Sequence, residues 1–323
     1  VSAQHPDGPT VSVVDRIAEI AVARTPFSVE FFPPRDEAGE AQLWRAARAF
    51  EPLDPAFVSV TYGAGGTTRD RTARIVGELA ATTSLLPVAH LTAVGHSVAE
   101  LRELIDHFAA VGVHNVLALR GDPQGGVRQE WVQHPEGLAY AVELVELITA
   151  AGGFHVGVAS FPEGHPRAIN LAADTANLVN KLRAGAEYSI SQMFFDVEDF
   201  LRLRDRVCAA DPEQGAKPLI PGLMPITSLR SVSRMVELMD SQIPTSVLER
   251  LSRAAGDGPA ENRDAVRRAG IELATEMSRR LIDEGVPCLH FCTLNFAKAT
   301  SEVLTNLGLT QSRVGSGAVT RGD

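Results

Sequence analysis

Short apolar and β-branched runs alternate with longer segments of helical period along almost the whole chain, the pattern of parallel strands joined by crossover helices. The runs fall at 26–32, 56–62, 86–92, 115–120, 154–160, 188–194, 218–224 and 287–294, which makes eight strands. Between them, 97–110 carries Val98, Leu101, Leu104, Ile105 and Phe108 on one helical stripe, and 135–150 opens with a proline suited to a helix start. Eight such units close naturally into a (β/α)8 TIM barrel. The last interval is the longest, with helical stretches at 244–254 and 261–284, so an extra helix is expected before the final strand. An open doubly wound sheet is the alternative, but no Gly-x-Gly-x-x-Gly follows the first strand. The barrel is assigned to 25–308, with a flexible N-terminal segment at 1–24 and a flexible tail at 309–323.

Composition narrows the class of partner. With 45% hydrophobic and 22% charged residues in 323, one large domain can bury its core without disulfides or a structural metal. The formal net charge of −10 and the lack of Lys/Arg clusters argue against nucleic acid and anionic membranes, leaving a small molecule. Cys208, Cys288 and Cys292 lack CxxC spacing and read as buried thiols in a reducing compartment. No run reaches the roughly 18 apolar residues of a membrane span, and no signal-peptide layout opens the chain, so a cytoplasmic protein is expected. A homo-oligomer has no marker for or against it.

Catalytic groups of such barrels sit at the C-terminal ends of strands. The polar residues there are Glu30, Thr61, Tyr62, His90, Thr92, Arg120-Gly121-Asp122, Glu163, His165, Gln192 and Thr293-Leu294-Asn295. Glu30 lies among Val29, Phe31 and Phe32, where burial should raise its pKa and suit it to general-acid work; the alternative is a carboxylate paired with Arg35 or Arg120. Gly121 is expected to let the backbone approach a ligand. The loop 63–68 offers backbone N–H groups to an anion, although an ordinary turn and cap is the plainer reading. His90 and His165 have no third ligand at metal spacing, so hydrogen-bonding roles are expected and no metal.

Six sequence words in order carry a resemblance. They are Ser28-Val29-Glu30-Phe31-Phe32-Pro33-Pro34-Arg35, Phe57-Val58-Ser59-Val60-Thr61-Tyr62-Gly63-Ala64, Ala118-Leu119-Arg120-Gly121-Asp122, Phe161-Pro162-Glu163-Gly164-His165-Pro166, Ser191-Gln192-Met193-Phe194-Phe195-Asp196 and Pro221-Gly222-Leu223-Met224-Pro225. Together they resemble the methylenetetrahydrofolate reductase family, in its short bacterial form, over 26–307. The resemblance implies a TIM barrel that binds FAD at its C-terminal face, accepts a hydride from NADH or NADPH, and reduces 5,10-methylenetetrahydrofolate to 5-methyltetrahydrofolate for methionine synthesis.

By the same resemblance, Glu30 matches the acid that protonates the departing folate nitrogen, and Asp122 the aspartate beside flavin and pterin. Thr61, Tyr62, Ala64, His90, Arg120, Gly121, Phe161, His165, Ala168, Asp174, Asn177 and Lys181 match FAD-contacting positions. Arg120 and Lys181 would neutralise the pyrophosphate, and Asp174 would bind a ribose hydroxyl. Gln192, Met235 and Phe296 fall at substrate-contacting positions, beside Glu30 and Asp122. The chain departs from the family pattern at Phe161 in place of Tyr, at Asn180 in place of a basic residue, and at Phe296 in place of Arg. These departures keep two alternatives open: direct hydride transfer from nicotinamide to folate without flavin, and a folate- or flavin-binding barrel without catalysis.

Overall fold

Eight parallel strands close on themselves in chain order in the computed structural model, which describes residues 10–63, 69–123, 129–232, 243–256 and 262–310. They are β1 (Phe27–Phe31), β2 (Val58–Val60), β3 (Pro87–Thr92), β4 (Asn115–Leu119), β5 (His155–Ser160), β6 (Tyr188–Met193), β7 (Leu219–Leu223) and β8 (Leu289–Cys292). Each falls inside its expected window. β1 pairs with β8 as well as β2, so the sheet has no edge.

Strand alternation sorts side chains into two layers. Phe27, Val29 and Phe31 of β1 turn outward, into the main core shared with Leu43, Ala47 and Phe50 of helix α2 (Glu37–Phe50). The alternate positions fill the barrel interior, where Phe57, Val88, Leu117, Tyr188, Ile190, Ile220 and Cys288 form its lower layer. Gly157 is required there: a Cβ would stand 2.3 Å from Cζ of Tyr188, whose ring occupies that space.

Helices follow the strands on the outside: α3 (Arg69–Thr82), α4 (Val98–Ala110), α5 (Ala141–Ala151), α6 (Leu171–Arg183), α7 (Val197–Ala210) with the short α8 (Pro212–Gly215), α9 (Thr245–Ala255), α10 (Arg263–Asp283) and α11 (Ala297–Asn306). α4 starts as expected, with Ser97 and Glu100 forming a capping box. α9 is the extra helix before β8; its Val247 and Leu251 pack in a separate cluster with Ile226 and Val266. α5 begins at Ala141 rather than near Pro135, because Glu143 accepts from the Ala139 and Tyr140 amides and sets the start there.

The opening segment also differs from expectation. Helix α1 (Val13–Ala21) lies within the stretch read as loose, yet Val13, Ile17 and Ile20 are buried against the lower layer of the barrel. Ser12 caps it, and Asn115 accepts from the Val13 amide and donates to the Val11 carbonyl. The helix closes the N-terminal mouth of the barrel, where an open ring of apolar side chains would otherwise meet water. At the other end Leu309 is buried in the main core, and 311–323 lie outside the described residues. No described helix is long and apolar enough to cross a membrane.

Candidate functional site

The inward positions at the C-terminal end of β1 and β8 converge on Glu30. Register places Ser28 beside His290 and Glu30 beside Cys292. His290 Nε2 lies 3.4 Å from Glu30 Oε2, and His90 Nε2 of β3 lies 3.6 Å from the same oxygen. The neighbours of the carboxyl are thus two histidines, not Arg35 or Arg120. The His290 ring is fixed from behind: Phe57 stacks on it at 5.6 Å and 16°, and Ser28 Oγ lies 2.8 Å from its Nδ1.

This surrounding reverses the expected shift. Burial does push the Glu30 carboxyl up and is the largest influence, but the His290 hydrogen bond, the charges of His90 and His290, and Cys292 together bring it below its ordinary value. Burial pushes His90 down to about 4 despite Glu30, so it stands neutral at pH 7. Cys292 is held well above the usual thiol value by burial and by the Glu30 charge, and stays a thiol. Ser28 Oγ also lies 3.4 Å from the Leu289 carbonyl, which fixes the hydroxyl beside the His290 ring.

A second group gathers at the ends of β4 and β5. His165 is pushed down to about 4 by burial and by the charges of Arg120, Lys181 and Arg167. Its Nδ1 accepts from the Arg167 amide at 3.0 Å, leaving Nε2–H free to donate. Lys181 is pushed down to about 8 by burial, opposed by Asp174, and its Nζ donates to the Ala159 carbonyl at 2.5 Å. Burial raises Asp174 against Lys181, and raises Asp122, which stands at the rim, against Arg120 and Arg167. The Arg120 guanidinium lies over the Trp131 ring at 5.3 Å. Phe161 meets His165 edge-on at 4.7 Å. Three cations against two carboxylates leave this corner with an excess of positive charge.

The remaining expected residues distribute around the same face. Thr61 follows β2, and the Tyr62 hydroxyl lies 3.1 Å from His96 Nε2. Asn177 is exposed on α6, and Ala168 is half-buried before it. Gln192 is aimed by a register shift in β6, and its Oε1 accepts from the Met193 amide at 2.9 Å, which leaves the Nε2 hydrogens to donate. Phe296 is 59% exposed at the start of α11. Gly121 has a packing reason of its own: with φ 82°, its missing Cβ would strike Val94 at 2.5 Å and Thr92 at 2.8 Å, at the end of β3. Ala64, most of the 63–68 loop and Met235 lie outside the described residues.

Sequence reasoning missed His290, Cys292, His96 and Trp131. A histidine inside the apolar run Cys288-Leu289-His290-Phe291-Cys292 was the available signal for the first two. Buried polar atoms without a hydrogen bond among the described residues include His90 Nε2, Thr92 Oγ1 and Ser160 Oγ, all at or near strand ends on this face. A groove of about 710 Å³ between α3 and α4, lined by Arg69, Arg74, Glu100 and Glu103, lies outside the barrel and carries none of these groups.

Comparison with known proteins bears on this arrangement. The sequence model of the family described as methylenetetrahydrofolate reductase matches residues 15–308. The 5,10-methylenetetrahydrofolate reductase of Pectobacterium carotovorum is 36% identical over 286 residues, covering 87% of this chain and 90% of the relative. That of Escherichia coli K12 is 36% identical over 283 residues with the same coverage. A maize protein named methylenetetrahydrofolate reductase (NADH) 1 is 35% identical over 313 residues, but the match spans only 51% of its length. Among solved structures, a Clostridium thermocellum protein described as binding two copies of 5-methyl-5,6,7,8-tetrahydrofolic acid has a TM-score of 0.57 at 12% identity, covering 91% of this chain and 98% of its own, which shows a shared fold.

Proposed function

Because this chain belongs to the methylenetetrahydrofolate reductase family, oxidoreductases that reduce 5,10-methylenetetrahydrofolate to 5-methyltetrahydrofolate, we propose that Glu30 is its proton donor and NADH or NADPH its hydride source. The observation that carries the proposal is the buried Glu30 carboxyl at the mouth of the barrel, its Oε2 3.4 Å from His290 Nε2 and 3.6 Å from His90 Nε2. A proton delivered by Glu30 to the departing nitrogen of the folate imidazolidine ring opens the ring and leaves an iminium carbon ready for hydride. A carboxylate kept low in the free protein becomes a donor once folate covers the mouth and excludes water, because burial, already the largest influence on Glu30, then pushes its pKa up further. Ser28 and Phe57 keep the imidazole facing Glu30 throughout.

Gln192 Nε2 and the Asp122 carboxyl supply a donor and an acceptor for the polar edge of the pterin, and Phe296 offers an aromatic surface at the mouth. Met235 joins this set by resemblance. NADH is supported as donor by the name of the maize relative. The same membership supports reading it as a cytoplasmic enzyme of the methyl supply for methionine synthesis.

The residues present fit FAD. Arg120, Arg167 and Lys181 would face its pyrophosphate, Asp174 and Asn177 its ribose, and the Thr92 and Ser160 hydroxyls, which lack a hydrogen bond, would supply polar contacts nearby. Bound there, FAD supplies a two-electron relay between nicotinamide and folate. A second reading has support in Phe161, which brings no hydroxyl and packs on His165, and in Asn180, which brings no charge. In that reading the cationic corner takes the nicotinamide pyrophosphate, and hydride passes directly to the folate. An anaerobic absorbance spectrum before and after stoichiometric NADH separates the two. Flavin bands that bleach support the relay. A colourless protein that oxidises NADH with methylenetetrahydrofolate in flavin-free buffer overturns it.

A further inference from the structure

The turn after β8 is strained at two consecutive residues. Leu294 and Asn295 have φ of 51° and 64°, a region that side chains with a Cβ occupy at a cost, Leu more than Asn. Such a conformation persists only where its surroundings hold it. Asn295 supplies the hold: its Oδ1 accepts from the Phe32 amide at 2.8 Å and its Nδ2 donates to the Phe32 carbonyl at 2.9 Å, the two bonds a paired strand residue would make. Thr293 adds two more on the same side, with Oγ1 at 2.7 Å and its amide at 3.3 Å from the Glu30 carbonyl. Gln42 of α2 donates to the Asn295 carbonyl at 2.9 Å from behind. Regular pairing of β1 with β8 ends at Glu30 and Cys292, so these side chains continue the seam beyond the sheet.

Glu30 therefore sits on a peptide tied at its own carbonyl and at both backbone groups of Phe32. We propose that Asn295 is a positioning residue for proton transfer, holding the β1 end so that the Glu30 carboxyl meets His290 and the folate nitrogen in one geometry. The proposal rests on the reading of Glu30 as the proton donor. A turn that merely connected β8 to α11 would tolerate glycine at 294 and 295 and would direct its polar groups to water. Here the left-handed backbone instead turns the Asn295 carboxamide onto β1, and the same turn presents Phe296 at the mouth.

Asn295→Gly keeps the left-handed backbone and deletes both bonds to Phe32, whereas Asn295→Asp keeps the acceptor and loses the donor. Both are compared with the native enzyme, with Glu30→Gln and with the double variant, by kcat, KM for each substrate, the pH profile of kcat, and thermal midpoint. Asn295→Gly should lower kcat by about 10- to 100-fold through misplacement of the acid, with KM for NADH unchanged and the pH profile displaced. Asn295→Asp should fall between Gly and native, and it decides by the same readouts if the Gly variant does not fold. In the Glu30→Gln background the same substitution should cost little more, because the group it positions is gone. A native kcat and pH profile in Asn295→Gly, or an equal loss in both backgrounds, overturns the proposal while leaving Glu30 in place. Native turnover in Glu30→Gln removes the reading beneath it.

Discussion

Replacing His290 with Asn separates the two influences that set the Glu30 carboxyl. Asn reaches about as far as Nδ1 and can keep Ser28 as partner, but places nothing where Nε2 stands 3.4 Å from Oε2. A hydrogen bond to a charged group contributes about 1.5–3 kcal/mol, and about 1.4 kcal/mol corresponds to one pKa unit. Its loss should therefore move the carboxyl up, leaving burial as the governing influence. The Glu30 side chain is only 17% exposed, so solvent screens little of this. Difference infrared spectroscopy of the carboxyl band, assigned with Glu30→Gln, follows the titration directly. Stability should respond with opposite signs. In the native protein the lowered pKa contributes stability that is present above the unfolded value of about 4.3 and is lost as pH falls through the folded value. In the variant a raised pKa contributes stability below that unfolded value and loses it as pH rises through the folded one. A band midpoint that does not move would refute the assignment of His290 as the partner that holds Glu30 ionised.

Two predictions concern the frame beneath the site. Ile17→Ala in α1 empties a position that is 4% exposed at the lower mouth of the barrel, and should cost about 2–4 kcal/mol in urea unfolding with turnover per folded molecule retained. A negligible cost would mean that α1 does not seal the barrel. Gly157→Ala forces a methyl to within 2.3 Å of Tyr188 Cζ and should cost about 1–3 kcal/mol in the same assay. The penalty should shrink in a Tyr188→Leu background, and an equal cost in both backgrounds would show that the ring is not the obstacle.

The eight strands and the extra helix are legible because each depends on a local run of apolar residues, and barrel closure then follows from their number. α1 is harder to read. Its Val13, Ile17 and Ile20 have helical spacing, but a nine-residue helix is marginal alone and forms here by docking on the barrel mouth. The start of α5 is misread from Pro135 because the Glu143 cap, three residues beyond Tyr140, decides it. Glu30, the Arg120–Asp122 strand end, His165 and Lys181 stand out in sequence as polar residues at strand ends or by resemblance. The direction of the Glu30 shift does not, since it depends on His290, a residue 260 positions away that only the β1–β8 register brings alongside. Gly121 shows the same limit: a glycine beside Arg and Asp suggests a ligand, and only the fold reveals Val94 and Thr92 in the space a Cβ would need.

Reduction of methylenetetrahydrofolate by Glu30→Gln, measured beside the native protein with NADH as donor, tests the central claim most directly. Gln preserves the shape of the side chain and removes the transferable proton. Turnover should fall by about 10²- to 10⁴-fold, the usual contribution of a positioned acid, while dinucleotide binding measured by calorimetry stays at the native level, because the cationic corner of Arg120, Arg167 and Lys181 is untouched. Native turnover in the variant, or a matching loss of dinucleotide binding, would contradict the role of Glu30 as the proton donor.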